Sequence, residues 1–374
     1  MESRRPDNDS ATRFPVVLVT GLRSAGKTAL VSHLHGRRHR LAVLTQHAEQ
    51  PEDIALRARA LADTRAHDGL IVELSPLTDA AAVAAALETS GPVYLDTLVT
   101  VVDAPRLLAD FCSRELLAER CGLPASGDDE RLLADALTDQ VELASVIALN
   151  KTDCIDRDTR RGLVDLLRAL NPVAVLIECE QGRIAGRELL GAHRFSLERA
   201  HACTGWAKAL ADEPIPNAQQ HRIGAFVYRE RRPFHPERLS EFFRTSWPGV
   251  VRSKGMFWIA TRPDWAAELS QAGAARRYRA VTSWWAATLE GKTFEPGEVE
   301  AFLGIPWDPV FGDRRQEIAF VGLDLDESAL RASVDACLLN DDEMRRGPEV
   351  WQTFRDPFPP WGLVATVRRA SKYN

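Results

Sequence analysis

The chain has 374 residues, of which 45% are hydrophobic and 27% are charged. This is ordinary globular composition, which excludes disorder of the whole chain, and the length predicts about two domains, or three. The net charge of −6 does not favour a nucleic-acid-binding surface, since such a surface usually shows as a basic domain. We therefore expect no nucleic-acid partner.

The six cysteines stand apart from one another, and no two are spaced as CxC, CxxC or CxxxC. The spacing therefore gives no zinc-binding or thioredoxin-type motif, and scattered cysteines fit a reducing compartment. The polar residues 1–13 lack the apolar core of a signal peptide, and no apolar run reaches the ~18 residues of a membrane span. We expect a cytoplasmic protein without a membrane partner.

Strands and helices alternate along the first half of the chain. The predicted strands are 14–21, 40–45, 69–74, 96–102, 144–149 and 173–177, and the predicted helices are 27–34, 80–87, 132–143 and 160–170. Apolar strands that alternate with helices are typical of an α/β domain with a mainly parallel sheet. We predict this domain over 14–182, after a flexible N-terminus at 1–13.

The pattern changes after Gly182. Glycines, prolines and polar residues predict a linker over 183–221. Strands at 223–228, 256–261 and 317–323, with helices at 236–245 and 327–338, then predict a smaller α+β domain with an antiparallel sheet over 222–345. Residues 346–374 are predicted to form an extended tail.

The strongest local motif runs from Gly21 to Thr28 and fits G-x-x-x-x-G-K-[ST] between a predicted strand and a predicted helix. Backbone N–H groups of such a loop surround phosphate, Lys27 would reach the β- and γ-phosphates, and Thr28 would offer its hydroxyl to Mg²⁺. A plain glycine turn is the alternative. The predicted phosphate-binding residues are Gly21, Arg23, Ser24, Ala25, Gly26, Lys27, Thr28 and Ala29.

A second motif, Asn150-Lys151-Thr152-Asp153, follows the predicted strand 144–149. A carboxylate such as that of Asp153 can accept hydrogen bonds from both N1–H and the exocyclic amine of guanine, whereas adenine offers an acceptor at the same ring position. After a phosphate-binding loop, this tetrapeptide favours GTP over ATP. We predict that Asn150, Lys151 and Asp153 bind the nucleotide, with the Lys151 stem against the base.

Acidic residues end two other predicted strands. Glu73 follows Leu70-Ile71-Val72 and is the expected partner of Mg²⁺, directly or through water. We therefore assign Lys27, Thr28 and Glu73 as catalytic, with Thr28 and Glu73 as the magnesium site. Asp103 ends its strand in the same way and is a weaker candidate. An acidic residue at a strand edge without such a role is the alternative for both.

Together these motifs resemble the CobW-type GTPases, a family of P-loop metallochaperones and metal insertases. In the second half, Arg232 to Leu239, Arg252 to Gly255 and Gly312 to Glu317 look like segments of the CobW C-terminal domain, the last of them like its zinc-responsive YciC-like branch. The resemblance covers about 14–345. It implies GTP and Mg²⁺ as cofactors, a client metalloprotein as partner, and a link to zinc limitation or cobalamin assembly.

The sequence departs from the family pattern at the metal site. Family members usually carry CxCC between the phosphate-binding loop and the acidic strand, but residues 29–72 contain no cysteine. The family's Asn-Asp is Thr45-Gln46 here, and Glu49 matches a metal-associated glutamate whose thiolate partners are missing. Pro76 replaces a glycine whose N–H could meet the γ-phosphate, which indicates weak hydrolysis.

Other candidate sites have simpler explanations. His47, Glu49 and His67 could hold zinc, although scattered residues of this kind are more often solvated surface. His193, His201 and His221 are read as ordinary linker residues. An arginine cluster could bind an anion or an acidic partner, or could be a solvated strand face: Arg229, Arg231, Arg232 and Arg238. Four tryptophans are expected in the core of the second domain, with a ligand platform as the alternative: Trp247, Trp258, Trp284 and Trp285.

Two hypotheses lead. In the first, the protein binds and hydrolyses GTP as a CobW-type protein whose zinc binding is uncertain and whose transferred-metal site is unknown. In the second, it is a nucleotide-gated regulatory or binding protein that no longer transfers metal. An ATP-using enzyme such as a kinase is a third reading. A homodimer around nucleotide is expected only by analogy with other P-loop proteins.

Overall fold

A computed structural model describes residues 13–37, 40–45, 50–122, 131–202, 204–289, 296–304 and 306–361. His47 and Glu49 lie outside the described residues. The chain divides into two compact units, one of residues 1–223 with 272–275 and the other of 224–271 with 276–374. Within the described part, no helix is long and apolar enough to cross a membrane.

The first unit alternates strands and helices in sequence. Its strands are β1 (Phe14–Thr20), β2 (Leu41–Thr45), β3 (Gly69–Glu73), β4 (Val93–Asp103), β5 (Val146–Asn150) and β6 (Val175–Cys179). Its helices are α1 (Lys27–Arg37), α2 (Pro51–Thr64), α3 (Ala80–Glu88), α4 (Leu107–Phe111), α5 (Leu117–Arg120), α6 (Leu133–Leu143), α7 (Arg157–Leu170), α8 (Leu197–Ala202) and α9 (Gly205–Leu210). The predicted α/β class is confirmed.

The six strands form one sheet in the order β2-β3-β1-β4-β5-β6, and the paired strands run parallel. The residues of β1 from Val16 to Val19 have no exposed surface. A parallel sheet covered on both faces needs such continuous apolar strands, which is why they stood out in the sequence. The chain leaves β1 on one side for β2 and β3 and then returns to the other side for β4. This reversal forms a topological switch point at the carboxyl end of β1.

Helix α2 was missed by the sequence analysis. It runs from Pro51 to Thr64 and buries only a narrow stripe, Ile54, Ala55 and Ala58. Because only three side chains are buried and two of them are alanines, the amphipathic pattern is weak. The N-terminus of the helix nevertheless has favourable residues, with Pro51 at its first position and Glu52 and Asp53 in its first turn.

Residues 183–221 are organised around a buried carboxylate in β4. Asp96 has no exposed surface, and its two oxygens accept hydrogen bonds from the backbone N–H groups of Gly191 and His193 at 2.5 Å each. His193 also stacks on Tyr94, with ring centroids 5.0 Å apart. Near the end of the segment, His221 Nδ1 lies 2.7 Å from Asp165 of α7. The region predicted as a linker is therefore fastened to the sheet and to α7.

The second unit contains a five-stranded antiparallel sheet, which confirms the predicted α+β class of this half. The strands are β7 (Ile223–Glu230), β8 (Val250–Phe257), β9 (Trp265–Ala272), β10 (Ala275–Ser283) and β11 (Gln316–Leu323), in the sheet order β10-β9-β8-β11-β7. The helices are α10 (Pro236–Arg244), α11 (Trp285–Thr288), α12 (Pro296–Leu303), α13 (Glu327–Asp335), α14 (Asp341–Arg346) and α15 (Pro348–Trp351).

The strand predicted at 256–261 was placed wrongly. The actual strand, β8, spans Val250–Phe257 and contains Arg252, which is 2% exposed. Its guanidinium donates to Ser270 Oγ and to the carbonyl of Gln271, so it is hydrogen-bonded inside the sheet. Strands β9 and β10 were not predicted, because the outward residues of β10 are polar or exposed along most of its length.

An aromatic core fills one face of the second sheet. Trp247 stacks on Phe242 at 4.7 Å and meets Phe320 edge-on at 5.8 Å. Trp258 and Trp284 are buried together in an adjoining cluster. Trp285 is 45% exposed, so its expected place in the core is wrong, although the other three tryptophans are buried as expected.

The arginine cluster of the second unit makes contacts within that unit. Arg229 pairs with Glu317, and Arg231 donates to the carbonyls of Gly312 and Arg314. Arg232 pairs with Asp341, and Arg238 forms a bidentate ion pair with Glu343, with N···O distances of 2.7 and 2.9 Å. This bond holds the pKa of Glu343 down at about 2. These partners favour an architectural role for the cluster over anion binding.

The buried Asp96 carboxylate is expected to stabilise the first unit. Asp96→Asn replaces one acceptor oxygen with an amide that faces an N–H donor, so we expect a loss of about 2 kcal/mol in unfolding free energy. Residues 183–221 should also become more sensitive to protease. Thermal unfolding and limited proteolysis measure both effects. Asp68→Asn is the control, since that exposed carboxylate pairs only with exposed Arg40 among the described residues. Equal stability of the two variants would contradict the role of Asp96.

Candidate functional site

The polar residues that the sequence predicted at strand ends lie next to one another in the first sheet. Glu73 pairs with Val19 across β3 and β1, and Asn150 pairs with Asp103 and with Cys179 on its two neighbours. Because the strands are parallel, their carboxyl ends lie along one edge of the sheet. The loop 21–27 begins at this same edge.

Backbone shape makes the loop between β1 and α1 a concave turn. Gly21 and Gly26 have φ angles of +143° and +106°, and Ser24 has a φ of +66°. A Cβ on Gly21 would lie 2.4 Å from the carbonyl oxygen of Val101, and a Cβ on Gly26 would lie 2.2 Å from Asn150 Nδ2. Both glycines are therefore required by close packing as well as by φ.

Lys27 lies inside this loop. Its side chain is 8% exposed, and Nζ donates to the carbonyls of Gly21 at 2.9 Å and Leu22 at 3.1 Å. Burial lowers the pKa of Lys27, and the charges of Glu73 and Cys121 act in the opposite direction. A group with several negative charges bound at the loop would favour the ammonium form further.

Thr28 and Glu73 form a pair beside the loop. The Thr28 hydroxyl donates to Glu73 Oε1 at 2.7 Å. Glu73 is 7% exposed, and its second oxygen, Oε2, is buried without a hydrogen-bond partner. A buried carboxylate oxygen with no donor is costly, and a hydroxyl and a carboxylate are oxygen ligands of the type that Mg²⁺ prefers. The pair therefore fits a magnesium ion.

Asn150 joins three parts of the site. Its Nδ2 donates to the carbonyl of Ala25 at 2.9 Å, and its Oδ1 accepts from the N–H of Gly182 at 3.0 Å. The side chain is 1% exposed. It thus fastens the loop after β1 to the end of β5 and to the loop after β6.

Lys151 adopts a left-handed backbone conformation, with φ 62°. Its Nζ donates to the carbonyl of Ser24 at 2.8 Å and forms an ion pair with Asp103. Asp103, the weaker acidic candidate of the sequence analysis, therefore contacts a residue of the second motif. The Lys151 ammonium lies against the loop, and its stem runs along the space between loop and β5.

Asp153 has an exposed side chain, unlike the buried Asn150 and Thr152 of the same motif. It makes a weak contact with Cys154, whose Sγ lies 3.6 Å from Oδ2. The next helix, α7, is capped by Asp156, which accepts from the N–H groups of Asp158 and Thr159 at 2.9 Å. That cap fixes the turn on which Asp153 stands and leaves its carboxylate facing outward.

The sequence analysis missed the loop after β6. Gly182 has a φ of +69°, and a Cβ there would lie 2.5 Å from the backbone nitrogen of Leu30 in α1. Cys179 is buried beside Asn150, and burial raises the pKa of its thiol to about 11. A glycine shortly after the strand next to the Asn150 strand was the available signal. The loop packs on the beginning of α1 and completes this edge.

The turn after β3 is also held in place. Gln140 Nε2 lies 3.5 Å from the carbonyl of Pro76, and the Arg131 guanidinium donates to the carbonyl of Leu77 at 2.8 Å. His67, in contrast, precedes β3 at the other end of the strand. Six residues of extended chain span roughly 20 Å, so His67 cannot share a site with Glu73.

Two family matches cover most of both units. Residues 47–178 match the family described as CobW/HypB/UreG, nucleotide-binding domain, and residues 223–338 match the family described as Cobalamin synthesis protein cobW C-terminal domain. The first match includes Glu73 and the Asn150–Asp153 motif. The second includes β7 to β11 and all of α13.

Curated relatives match over most of the chain. A zinc-regulated GTPase metalloprotein activator of Dictyostelium discoideum is 32% identical over 82% of this chain and 67% of its own length. A zinc chaperone of Mycobacterium tuberculosis is 29% identical over 72% of this chain and 64% of its own length. The chain thus spans about two thirds of these relatives.

Among solved structures, the Zn(II)-bound YjiA GTPase from E. coli is 18% identical, with a TM-score of 0.39 over 87% of this chain and 99% of that chain. The sequence relatives and the two domain matches are sufficient to assign the family that the sequence motifs indicated. The chain belongs to the CobW family, with the nucleotide-binding domain that CobW shares with HypB and UreG followed by the CobW C-terminal domain.

Proposed function

We propose that this protein binds GTP together with Mg²⁺ and hydrolyses it slowly. The observation that carries the proposal is the meeting, at one edge of the sheet, of the Lys27 loop, the Thr28–Glu73 pair and the Asn150–Asp153 turn. Phosphate, metal and base recognition each have a separate group there. None of these groups needs a large movement of the strands to serve its role.

The phosphates would lie against the loop. Its N–H groups and the Lys27 ammonium supply positive charge where the β- and γ-phosphates would be, next to the beginning of α1. The buried position of Lys27 strengthens this attraction, because charges interact more strongly where water is excluded.

Mg²⁺ would be held by the Thr28 hydroxyl and by Glu73, directly or through water. When bound, it would neutralise charge that develops on the phosphate oxygens during hydrolysis. Pro76 cannot donate an N–H toward the γ-phosphate, which supports slow hydrolysis. Glu73 would hold the metal side of the site, and Lys27 would hold the phosphate side.

Guanine would be selected by Asp153. Its exposed carboxylate faces outward from the turn that Asp156 caps, and it can accept from N1–H and from the exocyclic amine together. The Lys151 stem, fixed at its ammonium end by Ser24 and Asp103, would support the base. Asn150 would position the loop and would not touch the base.

The relatives support a place in zinc physiology. One is named a zinc-regulated GTPase metalloprotein activator and another a zinc chaperone. We propose that this protein works in the cytoplasm on a client metalloprotein, coupling nucleotide state to that contact, and that a homodimer forms around nucleotide as in other P-loop proteins.

A second candidate is a nucleotide-gated regulator that transfers no metal. It is favoured by the lack of cysteine in residues 29–72, where the family's metal motif stands. Zinc titration with and without a non-hydrolysable GTP analogue separates the two. Tight zinc binding that depends on nucleotide would support metal transfer, and zinc binding in neither state would support the regulator.

Asp153→Asn should change the base preference from guanine to xanthine. An asparagine offers an N–H where guanine presents its amine, but it pairs well with the C2 carbonyl of xanthine. We expect GTP affinity to fall by about 10- to 100-fold, as for loss of a charge-assisted hydrogen bond, and XTP affinity to rise. Competition binding measures both. Asp158→Asn, an exposed carboxylate in α7, is the matched control. Unchanged GTP preference in Asp153→Asn would refute the assignment of the base.

Glu73→Gln should remove the dependence of binding on magnesium. The amide keeps the size of the side chain but loses the charge that attracts Mg²⁺. We expect GTP affinity in Mg²⁺ to fall about 10-fold or more, and affinity in EDTA to match that of the wild type. Isothermal titration with and without Mg²⁺ tests this, with the exposed Glu88→Gln as control. Retention of the full magnesium effect would exclude Glu73 from the metal site.

Gly26→Ala and Asn150→Ala should both weaken nucleotide binding, for different reasons. The alanine methyl at 26 would collide with Asn150 Nδ2, whereas Asn150→Ala removes that amide's hydrogen bonds to Ala25 and Gly182. We expect a loss of about 1–3 kcal/mol in stability for Asn150→Ala. In the double variant the collision is absent, so the two losses in stability should not add. Simple additivity in thermal unfolding would contradict this contact. Gly36→Ala, with open space around it, is the control.

A further inference from the structure

We propose that Arg23 contacts the γ-phosphate and makes the protein prefer GTP to GDP. This inference rests on the proposed function, because it concerns the same phosphate site. Arg23 is the third residue of the loop and lies directly after Leu22, whose carbonyl accepts from Lys27 Nζ. Its side chain is exposed, whereas that of Lys27 is buried in the same loop.

The guanidinium of Arg23 is already directed to one side of the loop. Its Nη1 donates to the carbonyl of Cys121 at 3.0 Å, and a Cβ on Gly122 would lie 3.3 Å from that nitrogen. Arg23 and Lys27 are thus two cations of the same loop, one exposed and one buried, on the loop where terminal phosphate oxygens would lie.

The residue before Cys121 is held by ion pairs. Cys121 follows α5, whose last residue, Arg120, is fixed by Asp110 at 2.7 Å and by Glu115 at 2.5 and 2.9 Å. A neutral backbone carbonyl is a weak partner for a guanidinium compared with a phosphate, which offers charged oxygens to several N–H donors at once. An exchange of the Cys121 carbonyl for the γ-phosphate would therefore favour binding.

A γ-phosphate bound at the loop would need a further hydrogen-bond donor. Pro76 has no N–H to give the γ-phosphate, and its carbonyl is engaged by Gln140. Lys27 has two of its three N–H groups on the carbonyls of Gly21 and Leu22. A guanidinium with five donors can supply the hydrogen bonds that the turn after β3 lacks.

The test compares Kd for GDP and for the non-hydrolysable analogue GMPPNP, each with Mg²⁺, in the full chain. In Arg23→Ala we expect the affinity for GMPPNP to fall about 10- to 100-fold and the affinity for GDP to change less than about 3-fold. Arg23→Lys should lie between, because it keeps the charge but loses the forked donors. Arg114→Ala, an exposed arginine between α4 and α5, is the matched control and should match the wild type.

The outcomes separate the inference from the function beneath it. Equal losses for both nucleotides, or a lowered thermal midpoint with them, would mean that Arg23 only holds α5, and this would overturn the proposal. Unchanged or improved affinity for GMPPNP would overturn it as well. In both cases the wild type still binds guanine nucleotide. A wild-type protein that binds neither nucleotide would overturn the proposed function together with the inference.

Discussion

The site depends on one buried amide. Asn150 lies at the end of β5, and through its two polar atoms it holds Ala25 of the phosphate-binding loop and Gly182 of the loop after β6. The amide packs against Gly26 and leaves no room for a Cβ there. The glycine of the first motif is therefore required by the asparagine of the second. A motif 125 residues away in sequence therefore sets the shape of the loop. The phosphate motif and the base motif are therefore joined by direct contacts.

Charge in the site is arranged around the same unit. Lys27 is buried against two loop carbonyls, while Lys151 reaches the outer side of the loop and is balanced by Asp103. Of these two lysines, only Lys151 has a carboxylate ion-pair partner within 4 Å among the described residues. The Lys27 ammonium therefore lies where phosphate would bind without such a partner, and the outer lysine holds the turn that presents Asp153.

The sequence predicted the parts of the site that are local. Gly21 to Thr28 and Asn150 to Asp153 are contiguous motifs, and a parallel sheet necessarily brings their strand ends to one edge. Contacts such as Arg23 with Cys121, or Asn150 with Gly182, arise from tertiary packing between residues that no spacing rule connects. Errors in the fold have the same origin. Strand β8 was predicted at the wrong position because Arg252 is a charged residue that is nevertheless buried in the sheet. Helix α2 was missed because its buried stripe consists of one isoleucine and two alanines.

These contacts are also independent of the cysteine motif that family members usually carry. The side chains proposed to hold the nucleotide, those of Lys27, Thr28, Asn150 and Lys151, hydrogen-bond to Glu73 and to the loops after β1 and β6. Among the described residues, none of these side-chain hydrogen bonds has its partner in residues 29–72. The family's cysteine motif belongs to that interval, so its absence removes metal ligands without removing a partner of Lys27, Asn150 or Asp153. Glu73 ends the next strand and is the first residue beyond the interval. A change in metal handling in that interval could therefore reach the nucleotide through Glu73, whose carboxylate already contacts Thr28.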